Sequence, residues 1–358
     1  MTSLAVLPGD GIGPEVMAEV LKVHTVVGDV FGIDLAVDVL PYDADWYLTR
    51  GAAGFDAQEV RRRYRAVLLG ALGDPRVPDN RHAKLIIGGL RQDLDLCVNL
   101  RPVRLRTLRH CPLRHVGAES EVDLVIVREN TEDVYVGVGG TVRSGQPEQV
   151  AMEVGVHTRR AVDRAVRAAF EIARARPRRR LTLVDKSNAM PAAGPLWQQC
   201  FRAAAAEYPE VHTDHLYVDA AAMELIRNPA RFDTVVTSNL FGDILSDEAA
   251  QLAGGLGVAP SASYDPADTG FRGVFESVHG SAPDLAGTGR ANPLASIMSY
   301  SLMLDRMELP AAHAAVERAI DEVLRGDLLT PDLGGTARTG EVGDEVCRAI
   351  ARGKEERR

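Results

Sequence analysis

Short unbroken apolar runs alternate with stretches of helical period along most of the chain. The runs Leu4–Leu7, Ala66–Leu69, Leu124–Val127, Leu181–Val184, Val211–Val218 and Thr234–Thr237 predict short buried strands, because a strand covered on both faces needs no polar alternation. Between them, apolar positions recur every three to four residues over Glu15–Val27, Thr158–Ala175, Leu196–Ala206, Leu240–Leu252, Asn292–Leu304 and Ala311–Leu324, which predicts amphipathic helices. Strands and helices in alternation predict an α/β architecture. Residues Thr131–Val154 break the rhythm: Gly, Thr, Ser and Gln surround two β-like runs, the texture of an arm or hairpin leaving the body. The chain therefore predicts two lobes with an arm, without internal repeats. Pro177 ends a helix inside the basic run Arg174–Arg180, which reads as a solvated connection before a strand, with an anion site as the alternative. The last residues, from Gly353 to Arg358, read as a frayed tail.

At 358 residues the chain is long enough for two lobes sharing a cleft. Its 41 Lys+Arg against 50 Asp+Glu give a net charge of −9, which argues against nucleic acid as a partner. No run reaches the ~18 apolar residues a membrane span needs. The N-terminal MTSLAVLPGDG has no basic stretch before its apolar run, so a secretory signal is not expected. Cys97, Cys111, Cys200 and Cys347 lack CxxC spacing, which fits a reducing cytoplasm and no structural zinc. Only Lys22, Lys84, Lys186 and Lys354 are lysine among the basic residues. Lysine can be tuned into a base and arginine cannot, so each lysine in this arginine-rich chain is a candidate.

Six motifs carry candidate chemistry. In LPGDGIGPE (Leu7–Glu15), Gly9, Gly11 and Gly13 follow a strand and Pro14 opens a helix. The third glycine comes one residue early for GxGxxG, so a Rossmann phosphate loop is disfavoured; a tight turn and a ligand loop both stay open. Arg91, Arg101 and Arg128, on successive elements, have the planar fork that grips carboxylates and together could clamp a dicarboxylate. In RENTEDVY, Tyr135 is a candidate proton donor if a nearby cation lowers its pKa from about 10; packing is the alternative. In VDKSNAM, Lys186 at a strand end is the leading candidate for a tuned base, against a merely solubilising role. In SNLFGDILSDEAA, Ser238 or Asn239 caps a helix on which Asp243 and Asp247 stand one turn apart. Two carboxylates on one apolar face call for a cation, and oxygen-only ligands favour Mg²⁺ or Mn²⁺, with Asp219 as a third ligand; the alternative, a solvated acidic face, is weakened because Phe241, Ile244 and Leu245 make the helix look buried. In FESVHGSAPDLAGTGRANP, the small residues after His279 let backbone amides approach a phosphate, Asp284 suits ribose hydroxyls and so NAD, and Asn292 caps the next helix and could face an adenine.

Taken together, GDGIGPE, DKSN, the Asp243/Asp247 helix and HGSAPD resemble the β-decarboxylating dehydrogenases of the isocitrate, 3-isopropylmalate, homoisocitrate and tartrate/malate type, from Leu7 to about Leu304. The resemblance implies the two-lobed α/β fold of isocitrate/isopropylmalate dehydrogenases, not a Rossmann fold, with a sheet spanning each lobe and a β arm in the second. It further implies a cofactor-binding lobe over 1–99 plus 253–358, and a lobe for substrate, metal and dimerisation over 100–252. Carried onto this chain, Arg91, Arg101 and Arg128 hold the malate carboxylates and Asn188 lies near substrate and nicotinamide. Asp243 and Asp247 bind the metal with Asp219 of a second subunit, and Lys186, also from that subunit, takes the C2 hydroxyl proton. Tyr135 protonates C3 after decarboxylation. His279, Gly280, Ser281, Ala282, Asp284 and Asn292, with Glu276 just before them, bind NAD. The implied protein is a cytoplasmic homodimer with shared active sites, acting on a small malate-type substrate.

The helix preceding Arg91 reads the C3 substituent in this family, and KLIIGGLR matches neither the bulky apolar pattern of isopropylmalate enzymes nor the Ser/Asn pattern of isocitrate enzymes. If this stretch is helical, Lys84, Gly88 and Arg91 share a face. Gly88 then leaves room and Lys84 meets a negative charge, which predicts an anionic C3 substituent of the carboxyalkyl or phosphonomethyl kind. The alternative has Lys84 in solvent and Ile87 lining an isopropyl pocket. A tartrate or D-malate dehydrogenase and a non-catalytic regulatory subunit are the other classes in view.

Overall fold

The computed structural model describes residues 3–51 and 54–355. Its strands are β1 (Ser3–Gly9), β2 (Ala36–Val39), β3 (Ala66–Ala71), β4 (Val98–Arg104), β5 (Asp123–Glu129), β6 (Gly139–Val142), β7 (Val150–Glu153), β8 (Arg180–Asp185), β9 (His212–Tyr217), β10 (Thr234–Thr237), β11 (Pro260–Tyr264) and β12 (Val274–Ser277). Ten of them form one continuous sheet in the order β2-β1-β3-β12-β11-β4-β5-β10-β8-β9, where the resemblance suggested a sheet for each lobe. One half is parallel and joins the start of the chain to its later part (β2, β1, β3, β12). The other half, β5, β10, β8 and β9, is parallel and comes from the middle. β11 and β4 lie between them, each antiparallel to both neighbours, so the two halves point in opposite directions.

The six predicted helices are present at Gly13–Phe31, Arg159–Ala175, Ala193–Ala205, Asn239–Gln251, Leu294–Arg306 and Pro310–Arg325. Pro14 sits in the first turn of the first, where its missing N–H costs nothing. Leu294–Arg306 is covered on nearly every side, against β11, β12 and the helix Pro310–Arg325. The main core runs along the sheet through Leu4, Val6, Leu68, Val127, Phe170, Leu183, Ile297 and Val316, all buried.

Three expectations change. The Val211–Val218 run forms the edge strand β9, whose residues are alternately exposed because β8 is its one neighbour. The Arg174–Arg180 connection is pinned: Arg176 pairs with Asp123 and Asp233, and Arg178 donates to the carbonyls of Ala230 and Asp123. The final helix, Thr339–Glu355, runs into the stretch expected to fray, and residues 356–358 of that stretch lie outside the described residues. So do the first two residues of the N-terminal run. β6 and β7 form a separate two-stranded ribbon, the expected arm, with Val142, Val150 and Met152 exposed on it. Among the described residues no helix is long and apolar enough to cross a membrane.

Candidate active site

β4 and β5 deliver Arg101 and Arg128 to one face of the helix Asn239–Gln251. Gly242 permits this approach, since a Cβ there would stand 2.7 Å from the Arg128 side chain. Arg128, fully buried, donates Nε to Asn239 Oδ1 at 2.7 Å and pairs through Nη1 with Asp243. Arg101 lies 3.1 Å from Asp243 Oδ1 and 3.2 Å from Asp247 Oδ1. The cation that the two aspartates call for is thus, within one chain, a guanidinium. Tyr135 donates to Asp243 Oδ2 at 2.6 Å, and the Arg128 guanidinium sits 5.1 Å from the centre of its ring. Arg91 pairs with Glu276 at 2.5 Å.

These charges set one another. Burial, with Arg101 and Arg91 nearby, pushes Arg128 down to about 9. Burial alone would raise Asp243, but Arg128 and Arg101 hold its carboxyl below the usual range. Burial raises Asp247, and Arg101 offsets only part of the effect. Tyr135 departs from expectation. Burial and the hydrogen bond to Asp243 push its hydroxyl up, outweighing Arg128, so it keeps its proton firmly.

A cleft of about 910 Å³ opens beside this cluster. Arg91, Arg101, Arg128, Tyr135, Asp243 and Glu276 line it, together with Lys84, Ile87, Gly88, His279 and Gly280. Lys84, Ile87 and Gly88 come from the helix Arg81–Gly88, and Arg91 from the wider turn Gly89–Asp93 that continues it. Lys84 is exposed and has no hydrogen bond or ion pair among the described residues.

Other expected site residues lie elsewhere. Lys186, just past β8, pairs with Asp219 in the first turn of the helix Val218–Arg227. Lys186 holds the Asp219 carboxyl below its ordinary range. Neither lines the cleft, nor do Asn188 and Asp247. Consequently no group of three His, Cys, Asp or Glu among the described residues forms a metal site within one chain. Asp243 and Asp247 remain a hard oxygen pair of the kind Mg²⁺ and Mn²⁺ prefer, if Arg101 gives way and a further oxygen arrives.

On the cofactor side, the GDGIG loop is a tight turn against the HGSAPD loop. Gly11 has φ +57 and a Cβ there would lie 2.0 Å from the Ser281 carbonyl oxygen, which accepts from Ile12 N at 2.8 Å. Ala282, in the left-handed region, turns the chain before Asp284, which is exposed. Gly280 faces open space. His279 is half-buried, desolvation lowers the pKa of its ring, and its Nε2 has no partner. An orphaned ring nitrogen beside an open cleft fits a bound dinucleotide's polar groups. Asn292 Oδ1 accepts from Leu294 N at the start of the next helix, whose N-cap residue is Pro293 rather than Asn292, and its Nδ2 is taken by Asp332.

Sequence reasoning missed several supporting groups. Asn239 orients Arg128, Ser246 accepts from Arg101 at 2.6 Å, Gln92 donates to the Tyr135 carbonyl at 2.9 Å, and Asp332 holds Asn292. All are common polar types without distinctive spacing. The expected cap by Ser238 or Asn239 is also corrected: neither side chain caps, and Asp133 Oδ2 accepts from Leu240 N instead.

The chain matches the family model described as isocitrate/isopropylmalate dehydrogenase over residues 3–346. It is 44% identical to the 3-isopropylmalate dehydrogenase of Thermobifida fusca, covering 97% of each chain. With that of Streptomyces coelicolor it shares 45%, covering 98% of each. The crystal structure of isocitrate dehydrogenase from Methylococcus capsulatus superposes with a TM-score of 0.85 at 34% identity, covering 98% of this chain and 99% of that one. The TT0538 protein from Thermus thermophilus gives 0.84 at 35% identity, covering 97% of this chain and 68% of that one. The chain belongs to the isocitrate/isopropylmalate dehydrogenase family, and with it to the NAD- and divalent-metal-dependent decarboxylating dehydrogenases.

Proposed function

We propose that this protein oxidises and decarboxylates a 3-alkylmalate, with 3-isopropylmalate as the leading substrate. The observation that carries the reading is the gathering of Arg91, Arg101, Arg128, Tyr135 and Asp243 around one cleft, in a chain whose relatives above are named for that substrate. Ile87 supplies an apolar wall for the substituent and Gly88 the room beside it. The three arginines bind the two malate carboxylates. Lys186 takes the C2 hydroxyl proton, and Tyr135, which holds its proton against Asp243, gives it to C3 once CO₂ has left. When bound, NAD⁺ accepts the hydride and the divalent metal supplies Lewis-acid stabilisation of the developing charge. Asp243 and Asp247 would hold that metal with Asp219 of a second copy. Glu276, His279 and the loop Gly280–Asp284 would hold the cofactor, with Asn292 near the adenine. Asn188 would lie by the nicotinamide.

The same reading divides the chain into a cofactor lobe, 1–99 plus 253–358, and a substrate lobe, 100–252, and makes the protein a cytoplasmic homodimer. Lys186 and Asp219 fall outside the cleft of their own chain, which supports a second copy as the source of both.

A second reading rests on one residue. Lys84 lines the cleft unpaired, and an anionic C3 substituent would give it a partner. The relatives favour the alkyl substrate, so the anionic reading takes second place. A panel of 3-substituted malates, assayed with NAD⁺ and Mg²⁺ for NADH and CO₂, decides between them. We expect the highest kcat/KM with 3-isopropylmalate. A preference for 3-carboxyalkyl or phosphonomethyl malates reverses the order, and NADH without CO₂ turns the assignment toward tartrate or malate oxidation.

A further inference from the structure

Asp133 is buried, with φ 68° and ψ −147°. This lies outside the left-handed helical well that Asp and Asn visit, in territory that glycine takes and side-chain-bearing residues avoid. Such a conformation persists only where its surroundings over-determine it. Here they do. Asp133 N donates to the Val156 carbonyl at 2.8 Å and its own carbonyl accepts from Val156 N at 3.3 Å, a two-residue bridge where the arm departs and returns. Its carboxylate is divided between two elements: Oδ1 accepts from Val134 N at 2.9 Å and Oδ2 from Leu240 N at 3.0 Å.

Leu240 N belongs to the first turn of the helix Asn239–Gln251, where backbone donors have no intrahelical acceptor. A carboxylate arriving from another segment satisfies one such donor and complements the positive end of the helix. Three residues along that helix stands Asp243, and two residues past Asp133 stands Tyr135, whose hydroxyl donates to Asp243 Oδ2 at 2.6 Å. The contacts close a ring from Asp133 to Leu240, along the helix to Asp243, across to Tyr135 and back through one turn of chain. His157 Nε2 lies 3.8 Å from Oδ1, beyond hydrogen-bond reach.

We propose that Asp133 is a positioning residue whose carboxylate ties the turn bearing Tyr135 to the helix bearing Asp243 and Asp247, and so holds the Tyr135 hydroxyl in place. The kinetic consequence rests on the role given to Tyr135 above; the structural one does not. Asp133→Gly is the informative change, because glycine relaxes the backbone while deleting the clamp. Asp133→Asn tests the clamp differently, since one side-chain oxygen becomes an N–H facing another donor.

The test places 3-fluorotyrosine at position 135 in the full-length protein and records its ¹⁹F resonance, alongside thermal melting and steady-state kinetics with 3-isopropylmalate. In Asp133→Gly we expect an unchanged melting midpoint and a ¹⁹F signal moved toward that of free fluorotyrosine. We also expect kcat to fall about tenfold to hundredfold, the scale of a displaced proton donor, with KM within about threefold. If Asp133→Gly fails to fold, the same signal is read in Asp133→Asn. A ¹⁹F resonance identical to that of the parent protein overturns the proposal, whatever the kinetics. A moved resonance with no turnover of 3-isopropylmalate by the parent protein supports the clamp and removes the substrate reading alone.

Discussion

Asp243 has three partners at once: Arg128, Arg101 and the Tyr135 hydroxyl. Within one chain the groups assigned to substrate and the group assigned to metal therefore neutralise each other. Arg91 does the same with Glu276. A divalent cation arriving alone must displace two guanidinium groups from the carboxylate it needs. A dicarboxylate arriving alone must strip the same groups from Asp243 and leave that charge uncompensated. Each ligand removes the obstacle to the other, and such coupling is reciprocal. We expect Mn²⁺ affinity, read from the free-ion EPR signal, to rise about 5- to 150-fold in saturating malate, the ordinary range of coupled sites. Equal Mn²⁺ affinity with and without malate would mean that the arginines do not release Asp243 to the metal.

At the scale of elements, the helix Asn239–Gln251 and β5 must approach closely enough for Arg128 to lie against the helix, and Gly242 sets that distance. Alanine there gains roughly 1 kcal/mol of helix propensity but drives a methyl into Arg128 Cβ and Cγ, an overpacking worth about 1–3 kcal/mol. Gly242→Ala should therefore melt within a few degrees of the parent, yet raise the substrate KM about tenfold or more through the displaced guanidinium. An unchanged KM would separate Arg128 from substrate binding. Sequence pattern found most of the elements that carry a strong period, though not the final helix Thr339–Glu355. All six predicted strands and all six predicted helices are present. It missed the exposed edge strand β2, and it missed β4, β11 and β12, where Arg, Pro, Ser and Glu interrupt the apolar run. The last three are buried at the centre of the sheet, where buried Asn99, Ser261 and Ser263 are satisfied by neighbours that only the assembled sheet provides. The helix Val218–Arg227 was missed too: it is ten residues long and follows β9 without a break, so the apolar run Val211–Val218 reads straight into it. Among site residues, Arg91, Arg101, Arg128, Tyr135 and Asp243 were legible because their types are chemically demanding, and the structure brings them to one cleft. Asn239, Ser246 and Asp133 were not, because positioning by a hydrogen bond leaves no mark on spacing.

The whole molecule leaves apolar side chains open on two helices and on the arm. Met223 is 68% exposed and Ile244 57%, on the two helices that also carry Asp219 and Asp243, and the arm adds Val142, Val150 and Met152. On that second helix Leu245 is buried while its neighbour Ile244 faces outward. Exposed apolar side chains gathered on such elements suit association, and a two-fold pairing of identical patches is its commonest form. Such a pairing would bring Lys186 and Asp219 of one copy toward the arginine cluster of the other, which mixed dimers can test. Lys186→Ala and Asp243→Asn each abolish a homodimer's activity under this scheme. Co-expressed with different tags and purified as the hybrid, they restore one complete site: Asp243 from the Lys186→Ala chain meets Lys186 from the Asp243→Asn chain, while the second site carries both lesions. The hybrid should recover about half of the parent activity per dimer, because one of two independent sites is intact. Sites built within a single chain would each carry one lesion, and the hybrid would be as inactive as its parents.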